Sequence, residues 1–421
     1  MKNFNRFGRY TVPAASFLLL VALSATLLQS CDNFDRSGDC VSEPHPATAE
    51  PAAALDVSPE GIARMLSSLP LTIDQLREVH SAVSASSANG YDEEYTFSSI
   101  FSTPGLGVGD ELLQTRSAVT GDGSATLAGL ISSSSDISTR SAGIEEALSG
   151  SGLQIYWPYS EDWDGRTFPV ITFNPEACPD GGGTGTGSSS AGICRDLSED
   201  SSVGFQRELL PDGSVIINEI IVDEDYARQH PVWVVNRNED AGRMTPQMIE
   251  ALYPERSAST RANGDFKTLV VKEFKAHRNY DSWLAGASEF FIKCGSIEGF
   301  NAQTEEEIKL FYPSVTDLMI NVKRKQVGKY LRFNTVVVSE WTPQLEECVF
   351  LMIEDDGGKQ TTWKATGVVK IKSKSYGFEV EFPLNRNDDL VWRGKLSSSY
   401  FEKYNGSPNR FGDVSVTFNF I

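Results

Sequence analysis

Five acidic residues near the C-terminus have the side-chain type and spacing expected of a calcium site. The first three follow the apolar run Val349–Ile353, and the other two follow the alternating run Tyr376–Phe382. If successive strands run up and down, both groups lie at one end of a β domain, where their oxygens suit the roughly six to eight ligands of calcium. The alternative is a set of solvated loop acids balanced by the bases at 323–325. The five acids are Glu354, Asp355, Asp356, Asp388 and Asp389.

A dense group of aromatic residues could stack against sugar rings. Tyr156, Trp157, Tyr159 and Trp163 stand beside the acids at 161–164. An aromatic face with a polar rim complements the apolar face of a sugar, and this favours binding of an extracellular glycan. Large aromatic side chains are usually buried, so a hydrophobic core is the competing interpretation.

Few patterns in the chain indicate catalysis. The sequence has no HExxH, GxSxG or GxxxxGK[ST] motif, which argues against zinc peptidases, α/β-hydrolases and P-loop enzymes. A carboxylate-based hydrolase stays open, because two acids roughly 5–10 Å apart are sufficient for glycoside hydrolysis. The acids available for it are Asp162, Asp164, Asp223, Glu224 and Asp225.

Four cysteines are candidates for disulfide bonds in an oxidising compartment. Cys178 and Cys194 flank a Gly/Ser-rich run at 181–192, and closing such a loop stabilises a fold by about 3 kcal/mol in the chain-entropy model. Cys294 and Cys348 lie in strand-like sequence and are expected to be either a cross-sheet pair or two buried thiols. None has the CxxC spacing of a zinc site.

The N-terminus has the three parts of an export signal. Basic residues at 2, 6 and 9 precede an apolar stretch, Val12–Leu28, which is short and rich in small residues. The signal ends at Leu28-Gln29-Ser30-Cys31, which resembles the lipobox of bacterial lipoproteins. The resemblance implies cleavage before Cys31 and acylation of that residue, so the expected partner is membrane lipid held through Cys31. Two or more acyl chains anchor a protein firmly.

The residues after Cys31 add an expected location. Acids at 32, 35 and 39 make this start similar to that of Bacteroidetes-type surface lipoproteins, including fimbrial anchor subunits, and the similarity implies exposure on the outer membrane. The chain has 37 basic and 57 acidic residues and a net charge of −20. This charge argues against nucleic-acid partners, because phosphate contacts need a basic face.

The sequence divides into helical, irregular and strand-like segments. Ser58 and Pro59 suit a helix start, and Thr72 with Gln75 predicts a capping box for a second helix. The predicted segments are a signal peptide at 1–30, a tether at 31–57, a helical segment at 58–101, a Ser/Gly-rich connection at 102–152, a small β domain at 153–236 with a disordered loop at 178–198, a linker at 237–265 and a β-sandwich at 266–421.

The predicted fold is mainly β, with an N-terminal helical hairpin, a small antiparallel domain and a C-terminal antiparallel sandwich. The acid groups at one end and the Trp341-Thr342-Pro343 run make the last domain faintly similar to C2-like sandwiches, which bind calcium. We expect a surface-exposed, non-catalytic binding or structural lipoprotein that contacts glycans or other envelope proteins. The alternatives are a secreted hydrolase and a subunit of a surface fibre.

Overall fold

The two predicted N-terminal helices form where the capping residues indicate. In the computed structural model, α1 (Pro59–Ser68) follows Ser58, whose side chain accepts a hydrogen bond from the Gly61 amide. Helix α2 (Ile73–Ala88) follows Thr72 and has the capping box with Gln75. The structure describes residues 57–102, 126–133, 141–175, 200–210, 214–240, 242–253 and 266–421. All of them belong to one compact unit, Ala54–Ile421.

The N-terminal half is built on a six-stranded sheet with helices packed on one face. Its strands lie in the order β1-β2-β6-β3-β4-β5, and only the β3–β6 pair is parallel. Apolar side chains of α1 and α2, such as Leu66 and Leu76, share a core with Trp157 and Trp233 of the sheet region. The strands are β1 (Glu94–Thr96), β2 (Leu153–Tyr156), β3 (Val170–Phe173), β4 (Ser201–Leu209), β5 (Val215–Asp223) and β6 (Val232–Arg237). The further helices are α3 (Phe97–Phe101), α4 (Leu127–Ser133), α5 (Ser141–Ser149), α6 (Glu224–Ala227) and α7 (Pro246–Leu252).

The C-terminal half is an antiparallel sandwich, as the alternating runs predict. One sheet has the order β10-β7-β16-β15, and the other has β13-β12-β11-β8-β9 with β14 also paired to β11. Apolar residues of both sheets meet in one core, to which Phe350 and Phe418 contribute. The elements are β7 (Lys267–Ala276), β8 (Ser288–Ser296), β9 (Ser314–Val322), β10 (Leu331–Trp341), β11 (Leu345–Glu354), β12 (Gln360–Ile371), β13 (Lys374–Asn385), β14 (Asp389–Ser397), α8 (Ser398–Lys403), β15 (Pro408–Phe411) and β16 (Val414–Phe420). The mainly β fold class is therefore confirmed.

The assumption of an up-and-down strand order is wrong. Strand β11 pairs with β8 and β14, and it contacts β12 only near its start. Distant strands can neighbour each other because burial of the apolar faces, and not chain order, decides which edges meet. The pairing still places Glu354 directly opposite Asp389. The two predicted acid groups are thus close, although through β14 and not through the assumed run.

The loop at 277–287, between β7 and β8, joins the two halves. Its Trp283 and Leu284 are buried in a third core, together with Tyr156 and Val222 of the N-terminal half. The Trp283 indole donates a hydrogen bond to the Asp200 carbonyl oxygen over 2.8 Å. The side chain of Asn236 donates to the carbonyl oxygen of Leu284 over 3.1 Å. The loop is therefore part of the N-terminal core as well as a connection within the sandwich.

Several predicted irregular segments lie outside the described residues. These are the signal peptide, residues 31–56 of the tether, and the loop at 178–198. The connection at 102–152 contains α4 and α5, and the proposed linker at 237–265 contains α7. Asp240 in that linker is buried and accepts a hydrogen bond from Asn321 over 2.8 Å. Its described residues thus pack against the sandwich.

Candidate metal centre and an exposed sheet edge

Three carboxylates converge where the loop at 277–287 meets the end of β11. One oxygen from each of Asp281, Glu354 and Asp356 lies within 4.8 Å of the others. Glu354 is the last residue of β11 and is 0% exposed, whereas Asp356 is at the surface. Neither carboxylate oxygen of Glu354 has a nitrogen or hydroxyl donor among the described residues, and its one close polar neighbour is the Asp281 carboxyl. The Glu354 carboxylate can therefore accept more hydrogen bonds than the protein donates to it.

Local hydrogen bonds hold Asp281 in position through its backbone. The Ser288 hydroxyl accepts from the Tyr280 amide over 2.9 Å and donates to the Asn279 side chain over 2.8 Å. The Asp281 carbonyl oxygen accepts from Arg324 over 2.6 Å. Its carboxylate Oδ2 is buried without a hydrogen-bond partner in the described part of the chain. The loop is thus fixed while the carboxylate remains available.

Asp355, which the sequence suggests as a calcium ligand, is committed to the fold. Its Oδ1 accepts hydrogen bonds from the Gly357 amide over 3.0 Å and from the Asn385 side chain over 2.8 Å. Its Oδ2 faces Arg243 at 3.3 Å, and the Arg243 guanidinium lies 4.4 Å from the centre of the Phe291 ring. Asp355 therefore orients the turn that carries the neighbouring acids.

The other two predicted ligands lie beside the group and are not part of it. Asp388 Oδ2 accepts from the Asn385 amide over 2.7 Å, while its Oδ1 is buried without a partner among the described residues. Asp389 is exposed opposite Glu354. Of the five predicted acids, the structure brings Glu354 and Asp356 together with Asp281, a residue that the sequence analysis missed. Asp281 is 73 residues before Glu354 in the sequence, so no local sequence motif contains both residues and could indicate that they meet.

Burial and the neighbouring acids raise the pKa of each of these three carboxyls. Burial, followed by a hydrogen bond with the Asp281 carboxyl and the charge of that group, raises the pKa of Glu354 to about 11. Burial, and then the charges of Asp281 and Asp389, raise the pKa of Asp356 to about 6. Burial also raises the pKa of Asp281. Without a positive neighbour, Glu354 is consequently protonated at neutral pH.

A second set of buried acids is satisfied by the protein itself. Asp92 accepts from the Glu93 amide over 2.7 Å and from the Ala287 amide over 2.9 Å. Asp240 accepts from the side chains of Asn321 and Asn238 over 2.8 and 3.0 Å. These two acids hold the halves together, and their oxygens have the donors that Glu354 lacks.

The prediction of a sugar-stacking surface is wrong, because the aromatic group is largely core. Tyr156, Trp157 and Tyr159 are buried, and Trp163 is half-buried. The Trp157 ring centre lies 5.2 Å from that of Trp163 and 5.7 Å from that of Trp233. The alternation of large aromatics with acids reflects a turn over a core. It does not form an exposed platform.

The acids of the hydrolase alternative are held by bases or by nearby backbone. Glu224 lies 2.9 Å from Arg228 and 3.4 Å from Arg324. Lys325 lies 2.5 Å from Asp162, and these five side chains line a cavity of about 490 Å³. The remaining contacts are Asp223 with the Tyr226 amide, Asp164 with the Thr167 amide and Asp225 with Arg228. The acids that line this cavity are thus already paired with basic side chains.

The predicted cysteine pairs have different outcomes. Cys294 and Cys348 are buried free thiols in this structure. Burial and a hydrogen bond with Cys294 raise the pKa of the Cys348 thiol. Cys31, Cys178 and Cys194 lie outside the described residues.

The outer strand of the first sheet presents exposed aliphatic side chains. β5 pairs with β4 along its whole length, from Ser201–Asp223 to Leu209–Val215, and has no second partner strand in the described parts of the chain. β3 meets β4 only at Phe205, so the tip of the β4–β5 hairpin extends past it. The exposed aliphatic residues of the hairpin are Leu209, Val215, Ile216, Ile217 and Ile221.

Comparisons with known proteins do not assign the chain to a family. No family model, curated protein or solved structure matches it. Among the described helices, none has the length and apolar composition needed to cross a membrane.

Proposed function

We propose that the protein is a surface-exposed lipoprotein, tethered to the outer membrane through acylated Cys31, that acts as a non-catalytic binding or structural module. The exposed edge of β5 is the observation that carries the binding role. A free strand edge offers a row of backbone donors and acceptors to an extended segment of another chain. The tether rests on the lipobox residues Leu28–Cys31.

Two kinds of feature that often block a sheet edge, Lys or Pro residues and a β-bulge, are missing from β5. Its sequence, Val-Ile-Ile-Asn-Glu-Ile-Ile-Val-Asp, contains neither Lys nor Pro. Its register with β4 is continuous, so it has no bulge that would twist the edge away. Ile216 is 40% exposed and Ile221 is 59% exposed. Because these side chains lie next to the open backbone edge, an added strand would cover both.

The same edge favours the fibre-subunit alternative over the hydrolase alternative. A fibre subunit needs a strand that can be completed by another chain, and β5 meets this need. A hydrolase needs carboxylates free to exchange protons with a substrate, whereas Asp162 and Glu224 are already paired with bases. The module and the fibre subunit differ only in whether the strand partner belongs to a fibre.

Site-specific photo-crosslinking in whole cells tests the proposed surface. A crosslinking amino acid at Ile216 or Ile221 should give a discrete higher-mass product. The same amino acid at Tyr312, which is 81% exposed in the C-terminal half, is the matched control and should give none. Equal products from all three positions, or none from Ile216 and Ile221, would refute binding through β5.

A further inference from the structure

We propose that Asp281, Glu354 and Asp356 form a calcium site at the junction of the two halves. The site is independent of the proposed edge-strand function. Its basis is the convergence of the three ligand oxygens within 4.8 Å and the burial of Glu354, whose carboxylate has no nitrogen or hydroxyl donor among the described residues. The inference changes the ligand set suggested by the sequence, since Asp281 joins it and Asp355, Asp388 and Asp389 leave it.

A buried carboxylate without partners requires a compensating positive charge or a proton. Taking an ionised carboxylate out of water costs several kcal/mol even after relaxation of the protein. No described Lys or Arg nitrogen lies within 4.0 Å of the Glu354 carboxylate. The bases that contact Asp355 and the Asp281 backbone are already engaged, because Arg243 binds the Asp355 carboxylate and Arg324 binds Glu224 and the Asp281 carbonyl oxygen. A proton neutralises Glu354 alone, whereas a cation neutralises all three carboxylates together.

The donor set selects the class of cation. All three ligands are carboxylate oxygens, which hard cations such as calcium and magnesium prefer, whereas zinc favours nitrogen and sulfur. Calcium takes about six to eight oxygens in a flexible arrangement, while magnesium demands a near-ideal octahedron. Asp356 is exposed, so water can fill the coordination positions on its side. The three acids lie on a loop and at the end of a strand, and one side of the group faces solvent. This arrangement suits calcium better than magnesium.

Neighbouring residues hold the ligands in place. The side chain of Asn385 and the Gly357 amide both donate to Asp355, which fixes the turn that follows Glu354. Ser288 fixes the loop around Asp281 through the Tyr280 amide. Such outer hydrogen bonds orient metal ligands and limit the rearrangement that binding requires. The site is therefore largely formed before the ion arrives.

Calorimetric titration of the full chain, purified in detergent and stripped with EDTA, tests the site with calcium chloride. We expect one ion per chain, and a loss in affinity of at least about tenfold in Asp281→Asn and Glu354→Gln, each of which removes a charged ligand. Glu381→Gln, which alters an exposed acid on β13, is the control and should bind as the unchanged protein does. Magnesium chloride at the same concentration should bind more weakly.

Thermal unfolding separates loss of the site from loss of the fold. In EDTA, Glu354→Gln should melt at or above the temperature of the unchanged protein, because the buried acid is gone. Calcium should raise the melting temperature of the unchanged protein and of Glu381→Gln, but not that of Glu354→Gln. Absence of heat and of a melting shift at millimolar calcium would overturn the proposal. Binding that is equal in all variants would also overturn it, since it would indicate loose association with surface acids.

Discussion

Replacement of Gly286 by Ala should weaken the junction between the two halves. Gly286 has a φ of +134°, a conformation open almost only to glycine. A Cβ at this position would lie 2.6 Å from Asp92 Oδ2, the atom that accepts the Ala287 amide hydrogen bond. The substitution therefore strains the backbone and also displaces a buried carboxylate from its donor.

The expected cost follows from these two terms. Backbone strain in this region costs about 1–3 kcal/mol. A buried acceptor or donor that loses its partner costs about 1–3 kcal/mol more. We expect the free energy of unfolding to fall by about 2–6 kcal/mol in Gly286→Ala. Gly165→Ala is the matched control, because Gly165 has a φ of +78° but no atom within 4 Å of the added Cβ, so only the backbone cost of about 1–2 kcal/mol applies.

Equilibrium urea unfolding, followed by tryptophan fluorescence, measures the difference between the two variants. Trp283 is buried and three residues from the substitution, so it contributes to the signal together with the six other tryptophans. A shift in the midpoint at constant slope gives the change in stability. If Gly286→Ala and Gly165→Ala differ by less than about 0.5 kcal/mol, the contact between Gly286 and Asp92 does not stabilise the junction as argued.

Three further outcomes are expected. Cys31→Ser should abolish metabolic labelling by fatty acid, and equal label in both proteins would end the lipoprotein proposal. Burial, and then the charge of Asp92, raise the pKa of Glu93 from 4.5 to about 9, so the folded chain holds a proton that the unfolded chain releases. The free energy of unfolding should therefore fall as pH rises from about 5 to 9, by up to about 1.4 kcal/mol per pH unit for one proton. Glu93→Gln should flatten this slope, and the exposed Asp74→Asn should not; an unchanged slope in Glu93→Gln contradicts the assignment. Phe350→Ala should lower the free energy of unfolding by about 3–5 kcal/mol, because Phe350 is 0% exposed in the sandwich core. Urea midpoints compare it with Leu390→Ala, which is 52% exposed and should change stability by less than about 0.5 kcal/mol.

The parts of the fold that depend on local sequence could be predicted. The capping box of Thr72 and Gln75 and the start after Ser58 act within one helical turn, so their residues alone determine them. The alternation of apolar with polar or small residues in Tyr376–Phe382 likewise predicts which face of a single strand is buried. In β13, Phe378, Val380 and Phe382 are buried, while Glu379 and Glu381 between them are exposed.

The candidate metal site depends on contacts between distant segments, and the alternation of apolar and polar residues along one strand cannot predict such contacts. The pairing of β11 with β14 depends on which sheet edges meet, and Asp281 reaches Glu354 through a loop from a distant strand. The burial of the aromatic group at 156–163 is hidden from the sequence for a related reason. The sheet that carries Tyr156 and Trp157 is covered on both faces, by helices on one side and by Trp283 on the other. Sequence read strand by strand does not show what covers the second face.

The position of Trp283 and Leu284 has a consequence for the order of folding during synthesis. Both side chains belong to a core whose other members, such as Tyr156 and Val222, come earlier in the chain. The N-terminal half therefore cannot close this core until residue 284 has been made and delivered. A chain that is secreted from its N-terminus would hold its first sheet partly open to chaperones until the start of the sandwich arrives. Long-range closure of this kind slows folding, because the entropy of the intervening chain is lost before the contact forms.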